Sequence, residues 1–282
     1  MTKNSLQNIV KGLLLLLLFF VCAEATFGQS DQPTPSAGEG SGKGHDTIIV
    51  TREQTGPFEP RFTPNFLEVA RGVIEQTNKF RKEQKLPPLQ QNELLTKIAQ
   101  DFADYMAKTG RYGHYADERT PLERATAQGY DYCFIGENIG LQFKSNGFAT
   151  GPLMKAFFQG WKNSPPHRAN MLHNGVTETG VAFAQSPETG AYFGVQLVAR
   201  PRADAIRFEV KNGTDHPISY RIDSEQFDLP VRSTRRHTIC QFVRLSIWGD
   251  GKELAGLQVE PGKQYILEDD GAVIKVGELP ER

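Results

Sequence analysis

Apolar side chains recur at Phe66, Val69, Ala70, Val73, Ile74, Thr77 and Phe80, the three-and-four spacing that lines one face of an α-helix. Thr63 is placed to cap that helix and Pro64 to open it. After a break at "LPPL" (86–89), Leu94, Leu95, Ile98, Ala99, Phe102, Ala103 and Met106 predict a second amphipathic helix that stops before Gly110. "TPLE" opens a third: Thr120 caps it, Pro121 fits its first turn, and Glu123 stands where a capping-box carboxylate returns to the Thr120 amide, a structural role. "GPLMKAFFQGW" predicts a fourth helix through Trp161. In "NSPPHRANML", Ser164 is placed to cap a short fifth helix, with Pro165 in its first position and His167 in its first turn.

Beyond residue 175 the period shortens to two. "TETGVAFAQS", a "PETG" turn and "AYFGVQLVAR" predict an antiparallel hairpin, and with the helices they suggest a sheet covered on its faces. From about Arg202, runs such as "AIRFEV", "ISYRI", "VRLSIW", "QYILED" and "AVIKV" alternate between turn-formers, so residues 202–282 are expected to form a small all-β domain of sandwich type. The fold class is therefore α+β, with the helix-and-sheet unit at 63–201.

Lys3 and Lys11 precede an apolar run, "GLLLLLLFFVCA", followed by small residues at Ala23, Ala25 and Gly28, the pattern of a cleaved export signal over 1–28. The run is shorter than the ~20 apolar residues of a membrane span, so no transmembrane segment is expected in the mature chain. Val21 stands where a lipoprotein signal wants a small residue, which argues against an anchor at Cys22. Residues 29–62, rich in Pro, Gly and Ser at 30–45, read as a flexible linker, with a short strand allowed at "DTIIV". The chain is expected to be secreted or periplasmic. A formal charge of −1 gives no electrostatic case for a nucleic-acid partner, and 38% hydrophobic with 23% charged residues is the balance of a folded protein.

Past the signal, Cys133 and Cys240 remain; export permits a disulfide, but two buried thiols are the simpler expectation. His114 and His167 are too far apart in sequence for local metal-ligand spacing. Glu137 is set in "CFIGENIGL", and a carboxylate among so many apolar neighbours needs a partner. Ser164 beside His167 lacks the context of a nucleophile elbow, and Cys133 has no evident base, so neither is expected to act as a nucleophile.

The order "GHYAD", "GYDYCFIGENIG", "GWKNSPPHRANML", "TETGVAFA", "YFGVQLV" resembles the CAP superfamily of cysteine-rich secretory proteins, antigen 5 and pathogenesis-related 1 proteins, in its bacterial form. The resemblance implies an α-β-α sandwich with a cleft lined by His114, Glu137 and His167. The second acid of animal and plant members is replaced here by "WKNS", which sets Ser164 or Asn163 near its place. Two imidazoles and a carboxylate match an open zinc site, so His114, His167 and Glu137 are the candidate ligands for zinc or another divalent metal; a hydrogen-bonded cluster that neutralises Glu137 is the other reading. The implied partner is an extracellular lipid or cell-envelope component. A metal-assisted hydrolase using Glu137 or Glu178 as base, and an adaptor whose β domain makes the contacts, are the alternatives. "FKSNGFATGPLMKAFF" is a candidate apolar wall, although most of it reads as helix core.

Overall fold

The computed structural model describes residues 47–249, 251–268 and 273–279. The expected export signal and the Pro/Gly/Ser run lie outside the described residues. In chain order the first part comprises β1 (Ile48–Ile49), α1 (Arg52–Thr55), α2 (Phe66–Glu83), β2 (Gln90–Gln91), α3 (Glu93–Thr109), β3 (Arg111–Tyr112), α4 (Pro121–Ala127), β4 (Tyr132–Gln142), α5 (Thr150–Asn163), α6 (Pro165–Met171), β5 (Glu178–Gln185) and β6 (Tyr192–Pro201).

The central sheet has the order β2-β5-β6-β4, with β5, β6 and β4 antiparallel and the short β2 parallel to β5. The two faces of β5 explain its layers. Ala182 and Ala184 face a core built with Leu95, Ile98, Phe102 and Met106 of α3 and Ala125 of α4, while Val181 and Phe183 face one built with Val69 and Val73 of α2 and Leu153, Phe157 and Trp161 of α5. The result is helix, sheet, helix. On the α3 face the sheet carries small residues so that the helix comes very close: a Cβ on Gly180 would lie 2.2 Å from the Leu95 carbonyl carbon.

Two expectations about this part are corrected. The cap of α2 is Asn65, whose Oδ1 accepts from Leu67 N (3.1 Å) and Glu68 N (3.2 Å), so Thr63 and Pro64 precede the helix. A flexible linker does not extend to residue 62: β1 pairs with β3, Val50 N donates to Gly110 O, and Glu59 N and Arg61 N donate to Ser145 O and Asn146 O. Phe58 packs over Gly190, where a side chain would strike its ring. The apolar Ile48, Val50 and Phe58 give this segment something to bury, unlike the run before it.

After a single 3-10 turn at Arg202–Asp204 the chain becomes entirely β: β7 (Ile206–Asn212), β8 (Ile218–Ile222), β9 (Glu225–Leu229), β10 (Thr234–Ile239), β11 (Arg244–Gly249), β12 (Lys252–Gln258), β13 (Lys263–Glu268) and β14 (Val273–Glu278). They form two four-stranded sheets, β10-β7-β13-β14 and β12-β11-β8-β9. One core fills the space between them, with Phe208, Val210, Tyr265 and Leu267 from the first sheet meeting Tyr220, Leu229, Leu245 and Ile247 from the second.

The expectation of two free thiols is also corrected. Cys133, at a bulge near the start of β4, is bonded to Cys240 just after β10, with their Cα atoms 5.4 Å apart. The bridge crosses from the first unit to the second, and no local spacing could announce it. Around it, Gly175 lies so close to Cys240 that a Cβ there would sit 2.5 Å from the Cys240 carbonyl oxygen, and Asn174 Nδ2 donates to Phe242 O at 3.4 Å.

Candidate functional site

The side chain of Glu137 is 1% exposed. It pairs in register with Leu197, so it points to the α3 side of the sheet. There the Nη2 of Arg124 donates to both carboxylate oxygens, at 3.0 and 2.7 Å, and His114 Nδ1 lies 2.8 Å from Oε1. A carboxylate only accepts, so His114 presents Nδ1–H to it and leaves Nε2 as the free ring nitrogen. Arg124 is the partner that sequence reasoning missed. Its Nη1 bonds Asp117 Oδ1 and Arg119 O, both at 2.7 Å, its Nη2 also reaches His114 O, and its guanidinium lies over the Phe102 ring, 3.6 Å from the centroid. The turn that carries His114 is thus fixed by the same cation that neutralises Glu137. A void of about 30 Å³, enough for a water molecule, lies beside Arg124, between Asp101, Asp117 and Gln128.

His167 approaches from the other face. Asn138, next to Glu137 on β4, points the opposite way and donates to His167 O at 3.1 Å and to Gln196 Oε1 at 3.0 Å. Asn170 donates to Asn138 Oδ1 (2.9 Å) and Glu137 O (3.1 Å), and the Trp161 indole donates to Ile139 O at 2.9 Å. Since β4 is an edge strand, these side chains occupy carbonyls that would otherwise face outward unpaired. The glycines of "GENIG" clear the way: a Cβ on Gly136 would come within 2.9 Å of Asn170, and one on Gly140 within 2.9 Å of Phe157. Arg81, fully buried, donates to Pro87 O, Met171 O, His173 O and Val176 O, which anchors the end of α6. Its burial lowers its pKa to about 10.

His114 and His167 are thus held at the free edge of β4 by residues pointing to opposite faces of the sheet, close enough to interact electrostatically. Burial, and secondarily the proximity of His114, lowers the pKa of His167 to about 4, so its imidazole is neutral at pH 7. The other candidates fall elsewhere. Ser164 is the buried N-cap residue of α6, but its side chain makes no cap hydrogen bond. Glu178 accepts from Asn92 Nδ2 (2.9 Å) and Tyr130 OH (2.6 Å) on β5, two strands and roughly 10 Å from β4. Cys133 is in the disulfide. Leu153, Phe157 and Phe158 are core residues, as the helix pattern suggests, and Phe148 sits edge-on to Tyr192. Asn138 and Asn170 carried one usable signal, amides set among apolar or motif residues beside Glu137 and His167.

Both Glu137 oxygens are engaged by Arg124 and His114, and among the described residues no group of three or more His, Cys, Asp and Glu side chains is arranged to hold a metal ion. The donors that remain are the two imidazoles. Imidazole nitrogens suit a divalent transition metal, with Glu137 orienting His114 from behind.

Residues 74–198 match the CAP, cysteine-rich secretory protein family. The chain therefore carries a CAP domain. It is similar to a bacterial protein: 115 residues are 32% identical to the uncharacterized protein YkwD of Bacillus subtilis, covering 40% of this chain and 42% of that one. Among solved structures, an extracellular protein containing an SCP domain from Bacillus anthracis is 24% identical (TM-score 0.41; 48% of this chain, 41% of that one). A cysteine-rich secretory protein from Staphylococcus aureus is 19% identical (TM-score 0.38; 48% and 40%). The chain spans less than half the length of each of these relatives. Among the described residues no helix is long and apolar enough to cross a membrane.

Proposed function

We propose that this is an exported binding protein in which His114 and His167 form the recognition point of the CAP domain, for an envelope-derived ligand or a divalent metal such as zinc. The observation that carries the reading is the pairing of a carboxylate-oriented imidazole with a neutral one at the same strand edge. A hydrolase with a carboxylate as its base is disfavoured: Glu137 is locked by Arg124, and Glu178 is bonded elsewhere. A bound zinc would supply a Lewis-acidic anchor for an oxygen of the ligand. The residues of the chain hold and orient the two nitrogens.

Calorimetric titration with zinc alone tests this. The wild type should show one site, lost in His114→Ala and in His167→Ala and weakened about 10- to 100-fold in Glu137→Gln, which keeps the shape but loses the orienting charge. Zinc binding unchanged in a double His114→Ala/His167→Ala variant, or none in the wild type, would remove the metal part of the reading.

A further inference from the structure

On the β-sandwich, strand β11 turns Leu245 and Ile247 inward, and Arg244, Ser246 and Trp248 outward. β8 likewise buries Tyr220 and Ile222 and turns out Ser219 and Arg221, which pair in register with Asp228 and Gln226 of β9. The outer face of this sheet is therefore mostly polar, with Trp248 and, at the bulge of β12 opposite it, Leu254 as its exposed apolar side chains. Trp248 is 42% exposed, and its indole N–H donates to Ser246 Oγ at 3.0 Å, so the ring lies along the strand over a serine that is itself 4% exposed. The Arg221 guanidinium stands 5.0 Å from the ring centroid.

The charges around the ring are not equivalent. Arg244 is paired with Glu253 (2.5 Å), and Asp228 accepts from Ser219 (2.6 Å). Arg221 has the indole beside it and, among the described residues, no carboxylate in salt-bridge reach. A protein partner would ask for a larger cluster of apolar anchors than Trp248 and Leu254 supply. A flat indole with a wide polar rim matches instead a pyranose ring, whose C–H face is apolar and whose hydroxyls point outward. The spare guanidinium asks for an anionic substituent at the edge of that ring.

We propose that the outer face of the sheet β12-β11-β8-β9 binds a polysaccharide of acidic sugars, the ring stacked on Trp248 and its carboxylate taken by Arg221. This site is independent of the histidine edge. It gives the β domain a binding role of its own.

The chain has two tryptophans, and Trp161 is 2% exposed, so changes in emission on adding a sugar report Trp248. Titration of the full chain with tetragalacturonate should give a saturable emission change, and the methyl ester of the same oligomer should bind more weakly. Arg221→Gln should weaken the acid form about tenfold and erase its advantage over the ester. Trp248→Ala should abolish binding, followed by calorimetry since the reporter is gone, while Trp248→Phe, which keeps a ring, should retain part of it with an unchanged Tm. No saturable change in the wild type, full binding by Trp248→Ala, or an ester that binds as tightly as the acid would overturn the proposal.

Discussion

Arg124 joins three tasks in one guanidinium: it neutralises Glu137, ties down Asp117 and the His114 turn, and covers Phe102. Arg124→Met should cost about 3–5 kcal/mol in urea unfolding, because it leaves a buried carboxylate facing only a histidine. Adding Glu137→Gln should restore part of that loss, since the uncompensated charge then disappears. The need of Glu137 for a partner was readable from its apolar neighbours. The identity of the partner was not, because Arg124 sits in a helix whose evident signal is its capping box. Histidines set a second expectation. Burial lowers the pKa of His237 to about 4, as it does for His167, and the Tyr220 hydroxyl lies 2.6 Å from His237 Nε2, a donor to the neutral ring. These imidazoles take up protons more readily unfolded than folded, so the stability they contribute is full above pH 6.5 and is lost as pH falls toward 4. Tm measured from pH 7 to 4 should fall over that window, and His237→Gln should flatten the slope.

Among the elements, α3 and α4 were the most legible. Their apolar spacing and punctuation survive in the structure, with Gly110 left-handed at the end of α3 and the Thr120–Glu123 capping box closed. β4 was the least legible. An edge strand with a helix on each side loses the in-and-out alternation, and its glycines and amides answer to α5, α6 and the site rather than to strand propensity. The contact between α3 and β5 is equally invisible in the pattern, which records an unremarkable glycine at 180. Gly180→Ala should destabilise by about 1–3 kcal/mol or more, because the methyl would meet helix backbone that cannot rotate aside. A chemical melt of that variant, beside Gly251→Ala as a control for left-handed glycine in open space, separates crowding from backbone strain.

At the scale of the molecule, two hydrophobic systems are separate: the cores of the first unit end at Ala199 and the core of the second begins at Ile206. A fragment of residues 47–201 should therefore unfold cooperatively on its own, and thermal melts that show no transition would mean that the junction completes its core. The change of period near residue 202 made that division readable. The cross-link over it was not, since pairing two cysteines 107 positions apart depends on how the units dock. The bridge encloses the whole junction, including the exposed turn at 202–204. A protease that cut this turn would yield two polypeptides still held by sulfur, migrating as one band without reductant and as two with it. The proteolysed protein would keep the histidine edge and the tryptophan face on one particle after its main chain had been severed.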